Sequence, residues 1–180
     1  MRKVFYVFSL TSTLMFALAA QAAAPNFAGT WTLDKNKSQD LQASYRSFER
    51  VSWVITQTGD EISIQAKYSG FVHKDLRPVR PGSMVGGGGA PIGPRTYKLD
   101  GRVTTVDIGG TKFTRKTTLS SDGKTLELVE KETFHQGTDD ESTRTSTDKL
   151  SLSADGTVLT VIRHREGWNA PQDSTLVFNK

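Results

Sequence analysis

An all-β domain, closed into a single antiparallel up-and-down barrel of about eight to ten strands, is the fold this chain predicts. Three observations predict it. Apolar residues alternate with polar ones at a period of two, and no segment carries a long 3.6-residue pattern. Short turn signals separate the alternating runs: Thr58-Gly59-Asp60-Glu61, Asp100-Gly101, Asp122-Gly123 and Asp155-Gly156. Asp-Gly is favoured where a hairpin needs positive φ. A meander of this many strands leaves exposed edges if it stays open, and closure removes them. A two-sheet sandwich is the rival arrangement of the same strands.

The chain opens with a leader. Arg2 and Lys3 precede a mostly apolar run, Val4 to Ala20, and Ala20-Gln21-Ala22 fits small-x-small. Residues 1–22 are therefore expected to be a signal peptide cleaved before Ala23. The run is short for a bilayer span and is interrupted by Ser9, Thr11, Ser12 and Thr13; a retained anchor is the alternative. A periplasmic or secreted location follows, with no stable membrane span after cleavage. The remaining 158 residues, 180 less 22, suit one domain, 23–180. With no cysteine in the chain, disulfides, thiolate nucleophiles and cysteine-ligated metals are excluded, so the core must carry stability. Removing Arg2 and Lys3 lowers the formal charge from +4 to +2. A balance this small predicts no nucleic-acid partner.

The strands are expected at 29–34, 49–58, 61–68, 95–100, 102–108, 111–120, 124–134, 142–152, 157–165 and 173–179. Val51, Trp53 and Ile55 share one side of the second, and Ile62, Ile64, Ala66 and Tyr68 one side of the third. Residues 35–48 have room for one short helical turn around 38–44. Between the third and fourth strands, residues 70–94 hold 11 Gly or Pro among 25. That density predicts a long flexible loop, either a plain surface loop or a lid over a barrel mouth. The glycine run is not a phosphate cradle, because it leads into Ala90-Pro91 rather than Gly-Lys-Ser/Thr opening a helix.

At Phe27-Ala28-Gly29-Thr30-Trp31-Thr32-Leu33 the chain resembles the calycin group, the lipocalins and the intracellular fatty-acid-binding proteins. The last seven residues, Ser174 to Lys180, are similar to the final strand of the latter. Bacterial secreted proteins with Phe-x-Gly-x-Trp-x-Leu-Asp and a nearby serine are also similar, with Asp34 and Ser38 in those places. The resemblance implies a barrel whose end is closed by Gly29 and Trp31, and a lipocalin-like role in binding a small molecule. It also implies a basic residue late in the chain against Trp31, for which Arg163 and Arg165 are candidates. The arginine and tyrosine that hold a fatty-acid carboxylate in that family are replaced by Leu176 and Phe178, and residues 35–48 are too few for its helix pair.

Candidate chemistry is sparse. His73, His135 and His164 do not pair at metal-ligand spacings, and no metal or cofactor is expected. Ser146 and Lys149 fit Ser-x-x-Lys, but on a strand positions three apart face opposite ways. The charged strands are more informative. Phe113, Arg115, Thr117 and Leu119 share one face, as do Leu126, Leu128, Glu130, Glu132 and Phe134, and the turn at Asp122-Gly123 makes the two strands pair. Either this face lines the barrel, where Arg115 meets Glu130, Glu132 or an anionic ligand, or it is solvated outside. From 67 to 98 six Lys or Arg face one acid, a candidate basic rim for anionic ligands or simply a solvated stretch. The expected function is binding of a small apolar or anionic ligand by Trp53, Tyr68, Phe113, Arg115 and Glu130, with no catalytic residues and no enzyme activity. The alternative is an envelope interaction module with a filled barrel, docking a partner through Phe71, Val85 and the prolines.

Overall fold

The computed structural model describes residues 25–71, 93–167 and 171–180. They form β1 (Gly29–Leu33), α1 (Ala43–Arg46), β2 (Phe48–Gln57), β3 (Glu61–Phe71), β4 (Arg95–Lys98), β5 (Thr104–Ile108), β6 (Thr111–Leu119), β7 (Thr125–Phe134), β8 (Ser142–Leu152), β9 (Val158–Glu166) and β10 (Gln172–Asn179). All ten strands belong to one antiparallel sheet, ordered β4-β3-β2-β1-β10-β9-β8-β7-β6-β5. Every neighbouring pair except β1 and β10 is consecutive in the chain, which is the up-and-down meander that the alternation predicts. One sheet, rather than two layers, settles the choice against the sandwich.

Strand ends agree with the pattern to within three residues. The largest difference is at β3, where Gly70 and Phe71 continue the ladder and Phe71 pairs with Phe48. The loop expected over 70–94 therefore starts later than composition alone implies. Glycine suits its place there: φ at Gly70 is +67°, and a Cβ would collide with the Glu49 side chain. The leader and residues 72–92 of the loop, with His73 and Val85, lie outside the described residues.

Topology requires the sheet to curl. β4 and β5 sit at opposite ends of the strand order, yet only residues 99–103 separate them. Ten strands laid flat would span about 43 Å at ordinary strand spacing, whereas such a link reaches about 20 Å. The sheet is accordingly a nearly closed barrel. At the seam Thr117 Oγ1 on β6 donates to the Lys98 carbonyl on β4, 2.6 Å away. β5 lies beyond this seam, pairs only with β6, and leaves Val106 and Ile108 exposed.

The barrel has two unlike ends. The β2–β3, β4–β5, β6–β7 and β8–β9 links lie at one, here called the Asp-Gly end. The segment 34–47, the end of β3, residues 135–141, the end of β9 and the start of β10 lie at the other, the loop end. Alternation turns Trp31, Ile55, Ile62, Leu126, Leu150, Leu159 and Phe178 inward near the Asp-Gly end, and all are buried. Phe27, ahead of β1, is also fully buried. Its N–H donates to Gln57 Oε1 at 2.9 Å, and its carbonyl accepts the Trp31 indole N–H at 2.8 Å.

These contacts explain the Gly-x-Trp spacing in this chain. Gly29 has φ +147°, and a Cβ there would lie 3.1 Å from the Lys180 side chain and 3.6 Å from the Trp31 indole nitrogen. The basic residue over Trp31 is Lys180, its Nζ 5.3 Å from the ring centroid, not Arg163 or Arg165. Those two sit further along β9, toward the loop end, where the register carries them away from Trp31. Asp34 and Ser38 also have a structural role. Asp34 Oδ1 accepts the N–H groups of Asn36 and Lys37, and Ser38 Oγ accepts Val177 N–H at 3.0 Å. The turn after β1 is thereby held on β10, and Gln39 rejoins the sheet at Thr175. The helical turn anticipated near 38–44 falls at 43–46.

Truncating Trp31→Ala removes the largest side chain of this packed end. It is expected to lower the unfolding free energy by about 3–5 kcal/mol, as measured by urea denaturation followed by tryptophan fluorescence of the remaining indoles.

Candidate functional site

Inward positions change character along each strand. Near the Asp-Gly end they are aliphatic or aromatic; toward the loop end they become charged. On β4 the step is Tyr97 to Arg95, on β6 Thr117 to Arg115, on β7 Leu128 to Glu130 and Glu132, on β8 Leu150 to Asp148, and on β9 Val161 to Arg163. Because the strands are in register, Arg115 lies opposite Glu130 and Asp148 opposite Arg163. The face carrying Phe113, Arg115, Glu130 and Glu132 thus lines the barrel and is not solvated.

Arg163 is the centre of the network and is 1% exposed. Its Nε and Nη2 donate to the two Asp148 carboxylate oxygens, each at 2.6 Å. Its Nη1 donates to the Tyr45 hydroxyl at 2.7 Å, which ties α1 to the barrel interior. Its guanidinium also lies over Trp53, 5.4 Å from the ring centroid. Arg115 Nε donates to Glu130 Oε2 at 2.6 Å. Arg95 joins the two pairs, with Nη1 3.6 Å from Asp148 and 4.0 Å from Glu130. Nearer the loop end, Glu132 pairs with Arg144.

The electrostatics follow from burial set against these partners. Burial alone would raise the Asp148 carboxyl, but Arg163, by charge and hydrogen bonding, and Arg95 outweigh it and hold the group below the ordinary carboxylate range. At Glu132 burial prevails over Arg144, and the carboxyl sits above its ordinary value. Burial, followed by nearby Tyr45, pushes the Tyr68 phenol up to about 12. Arg165 is pushed down to about 10 by burial and then by the positive charge of Arg163.

Five inward guanidinium groups, Arg95, Arg115, Arg144, Arg163 and Arg165, face three carboxylates, Glu130, Glu132 and Asp148. Among the described residues this half of the barrel therefore carries an excess of two positive charges. It also holds buried polar atoms without a partner: Trp53 Nε1, Arg115 Nη2, Arg165 Nε, Ser174 Oγ and both amide atoms of Gln42. Such a region can take hydrogen-bond acceptors and negative charge.

Trp53, Phe113, Arg115 and Glu130 are all buried in this half, and Tyr68 is half-buried on β3. Arg115 and Glu130 pair directly, whereas Trp53 meets Arg95 and Arg163 instead. Tyr68 packs on Phe48 and Tyr45, with centroids 5.1 and 6.3 Å apart. Ser146 faces inward and Lys149 outward beside Glu127, so the two do not meet. No histidine joins the network among the described residues. His135 is exposed, and His164 lies outside the barrel between Asp173 and Glu166. Among the described residues no group of three His, Asp or Glu is placed to hold a metal.

Sequence reasoning missed Arg95, Tyr45 and Asp148, and it offered Arg163 and Arg165 only as partners of Trp31. For Asp148 and Arg163 the signal was present. The turn at Asp155-Gly156 sets Leu152 opposite Leu159, and counting back by twos brings Asp148 to Arg163 on the same inner face. Nothing local marks Tyr45 or Arg95, which reach the network across the barrel.

Two outcomes are expected. Asp148→Asn leaves Arg163 buried without its countercharge and should cost about 3–5 kcal/mol at pH 7. Because the folded-state pKa of Asp148 is depressed, its contribution exists above the unfolded value near 3.9 and is lost as pH falls through the folded value. Denaturation curves between pH 7 and pH 2 should therefore converge for the variant and the parent at the acid end. At His164, hydrogen bonds that the ring donates to the Asp173 carboxylate first and the Glu166 carboxylate second raise the imidazole pKa. The stabilisation is present below about 6.5 and fades as pH rises through the folded value. NMR titration of the ring should give a midpoint above 6.5 that drops in Asp173→Asn.

No protein-family model matches the chain, and no curated protein matches it significantly. The ten-strand barrel is consistent with a calycin-like fold, and the likeness is one of architecture.

Proposed function

We propose that the protein is an exported binding protein, and not an enzyme, that holds a small, partly apolar ligand in the loop-end half of its barrel. The observation that carries this reading is the division of the interior. The Asp-Gly half is packed with aliphatic and aromatic side chains, whereas the loop half combines aromatic faces with unpartnered polar atoms. Ligand sites commonly pair apolar walls with a few placed polar groups. Trp53, Tyr68 and Phe113 supply the walls in this reading, and Arg115 and Glu130 the polar groups. Gly29 and Trp31 seal the opposite end. Export rests on the residue pattern of the leader, 1–22. Among the described residues no histidine joins Arg115 and Glu130.

One observation favours the alternative of an envelope interaction module. The Arg163–Asp148 and Arg115–Glu130 pairs themselves occupy interior space, as a filled barrel would require.

Native mass spectrometry of protein purified from its own host separates the two. Binding predicts a reproducible added mass, with retention weakened about tenfold in Tyr68→Ala, roughly the loss of one aromatic contact. Repeated absence of any added mass would favour the filled barrel.

A further inference from the structure

We propose that the ligand is an organic anion with an apolar body, and that Arg165 and Ser174 receive its acidic group. The inference rests on the binding function proposed above and names the ligand class that the same half of the barrel selects.

Among the described residues Arg165 is the inward guanidinium with no ion pair of its own, and it feels Asp148 and Glu132 only at longer range. Arg163 has Asp148, Arg115 has Glu130, Arg144 has Glu132, and Arg95 bridges Asp148 and Glu130. Arg165 makes no ion pair among the described residues, and its Nε is buried with no hydrogen-bond partner. A guanidinium left so is costly unless something else supplies negative charge. The depression of its pKa by burial and by Arg163 states the same cost.

Ser174 lies on the adjoining strand. The β9–β10 register sets Ser174 opposite Arg163 and Gln172 opposite Arg165, so Ser174 and Arg165 are diagonal neighbours with inward side chains. Ser174 is 3% exposed and its hydroxyl has no partner. A guanidinium N–H and a hydroxyl side by side form a fitting pair for an oxyanion. Two further unpartnered donors, Arg115 Nη2 and Trp53 Nε1, belong to the same half. Of the unpartnered atoms there, all but the Gln42 oxygen can donate, so the chemistry asks for an acceptor-rich guest. Tyr45, Tyr68 and Phe48 provide the apolar wall, packed ring against ring from α1 to the loop end of β2 and β3.

Two fluorescent probes with the same ring system test this: 1-anilinonaphthalene-8-sulfonate, an anion, and N-phenyl-1-naphthylamine, its neutral counterpart. The folded parent protein should bind the anion at least about tenfold more tightly. Arg165→Met should weaken the anion about tenfold to a hundredfold, the worth of one charged hydrogen bond, and leave the neutral probe within about twofold. The same variant should melt at a higher temperature, because an uncompensated buried charge is gone. Arg165→Lys should recover most of the anion preference. If both probes bind and Arg165→Met changes neither, the anion site is wrong while the binding function stands. A variant that loses both probes and melts lower would make Arg165 a structural residue and overturn the inference. Binding of neither probe to the parent would count against the binding function itself, and against the inference with it.

Discussion

A link of five residues between Lys98 and Thr104 joins strands at the two extremes of a ten-strand order. That constraint shapes the rest of the molecule. A sheet obliged to bring β4 and β6 within hydrogen-bond reach must coil, and coiling encloses one of its two faces. The same alternation that would give an open sheet a wet side and a dry side instead gives this one an outside and an inside. A charge placed on the inner face then costs free energy unless a partner is enclosed with it. β5, which lies past the seam, shows the converse. It is not enclosed, and its side chains are largely exposed.

Apart from Arg165, the inner charges are linked by a chain of contacts more than by isolated pairs. Arg115, Glu130, Arg95, Asp148, Arg163 and Tyr45 follow one another across β6, β7, β4, β8, β9 and α1. A buried ion pair is weak evidence for net stability, because desolvation offsets much of its attraction. Its value here lies in register. Slipping β9 by one residue against β8 would turn Arg163 outward and leave Asp148 only the longer contact to Arg95, so the network penalises the wrong pairing. Arg163 also carries α1 with it: a four-residue helix has little stability of its own, and Tyr45 anchors it to the interior.

Much of this was legible from residues. Turn signals between runs of period two placed the strands, and the turn at Asp122-Gly123 put Arg115 and Glu130 on the same face of adjoining strands; Asp100-Gly101, expected to close a hairpin, instead crosses the seam from β4 to β5, which do not pair. Period two does not say which face is inner when both carry charge, and so a solvated face remained open for that pair. Asp148 escaped because it stands among Ser146, Thr147 and Lys149 in a polar run, and Arg163 reads as a partner of Trp31 instead. Tyr45 and Arg163 are 118 residues apart in the chain. Their meeting is a property of closure, which local pattern implies but does not locate. At Gly70 and Phe71 composition misled: ladder bonds to β2 extended a strand into residues that read as loop.

β1 and β10 close the ring by pairing the first strand with the last. Lys180 accordingly lies against Gly29 and over Trp31. Every other hydrogen-bonded pair of strands is consecutive in the chain, so this pairing and the β4–β6 seam are the two contacts that chain order does not provide. A short linker from Lys180 to Asn26, with new ends opened at the turn Asp122-Gly123, would leave every strand with the neighbours it has now. Circular permutation of the gene would therefore preserve the order of strands, with β4 and β6 still meeting at the seam.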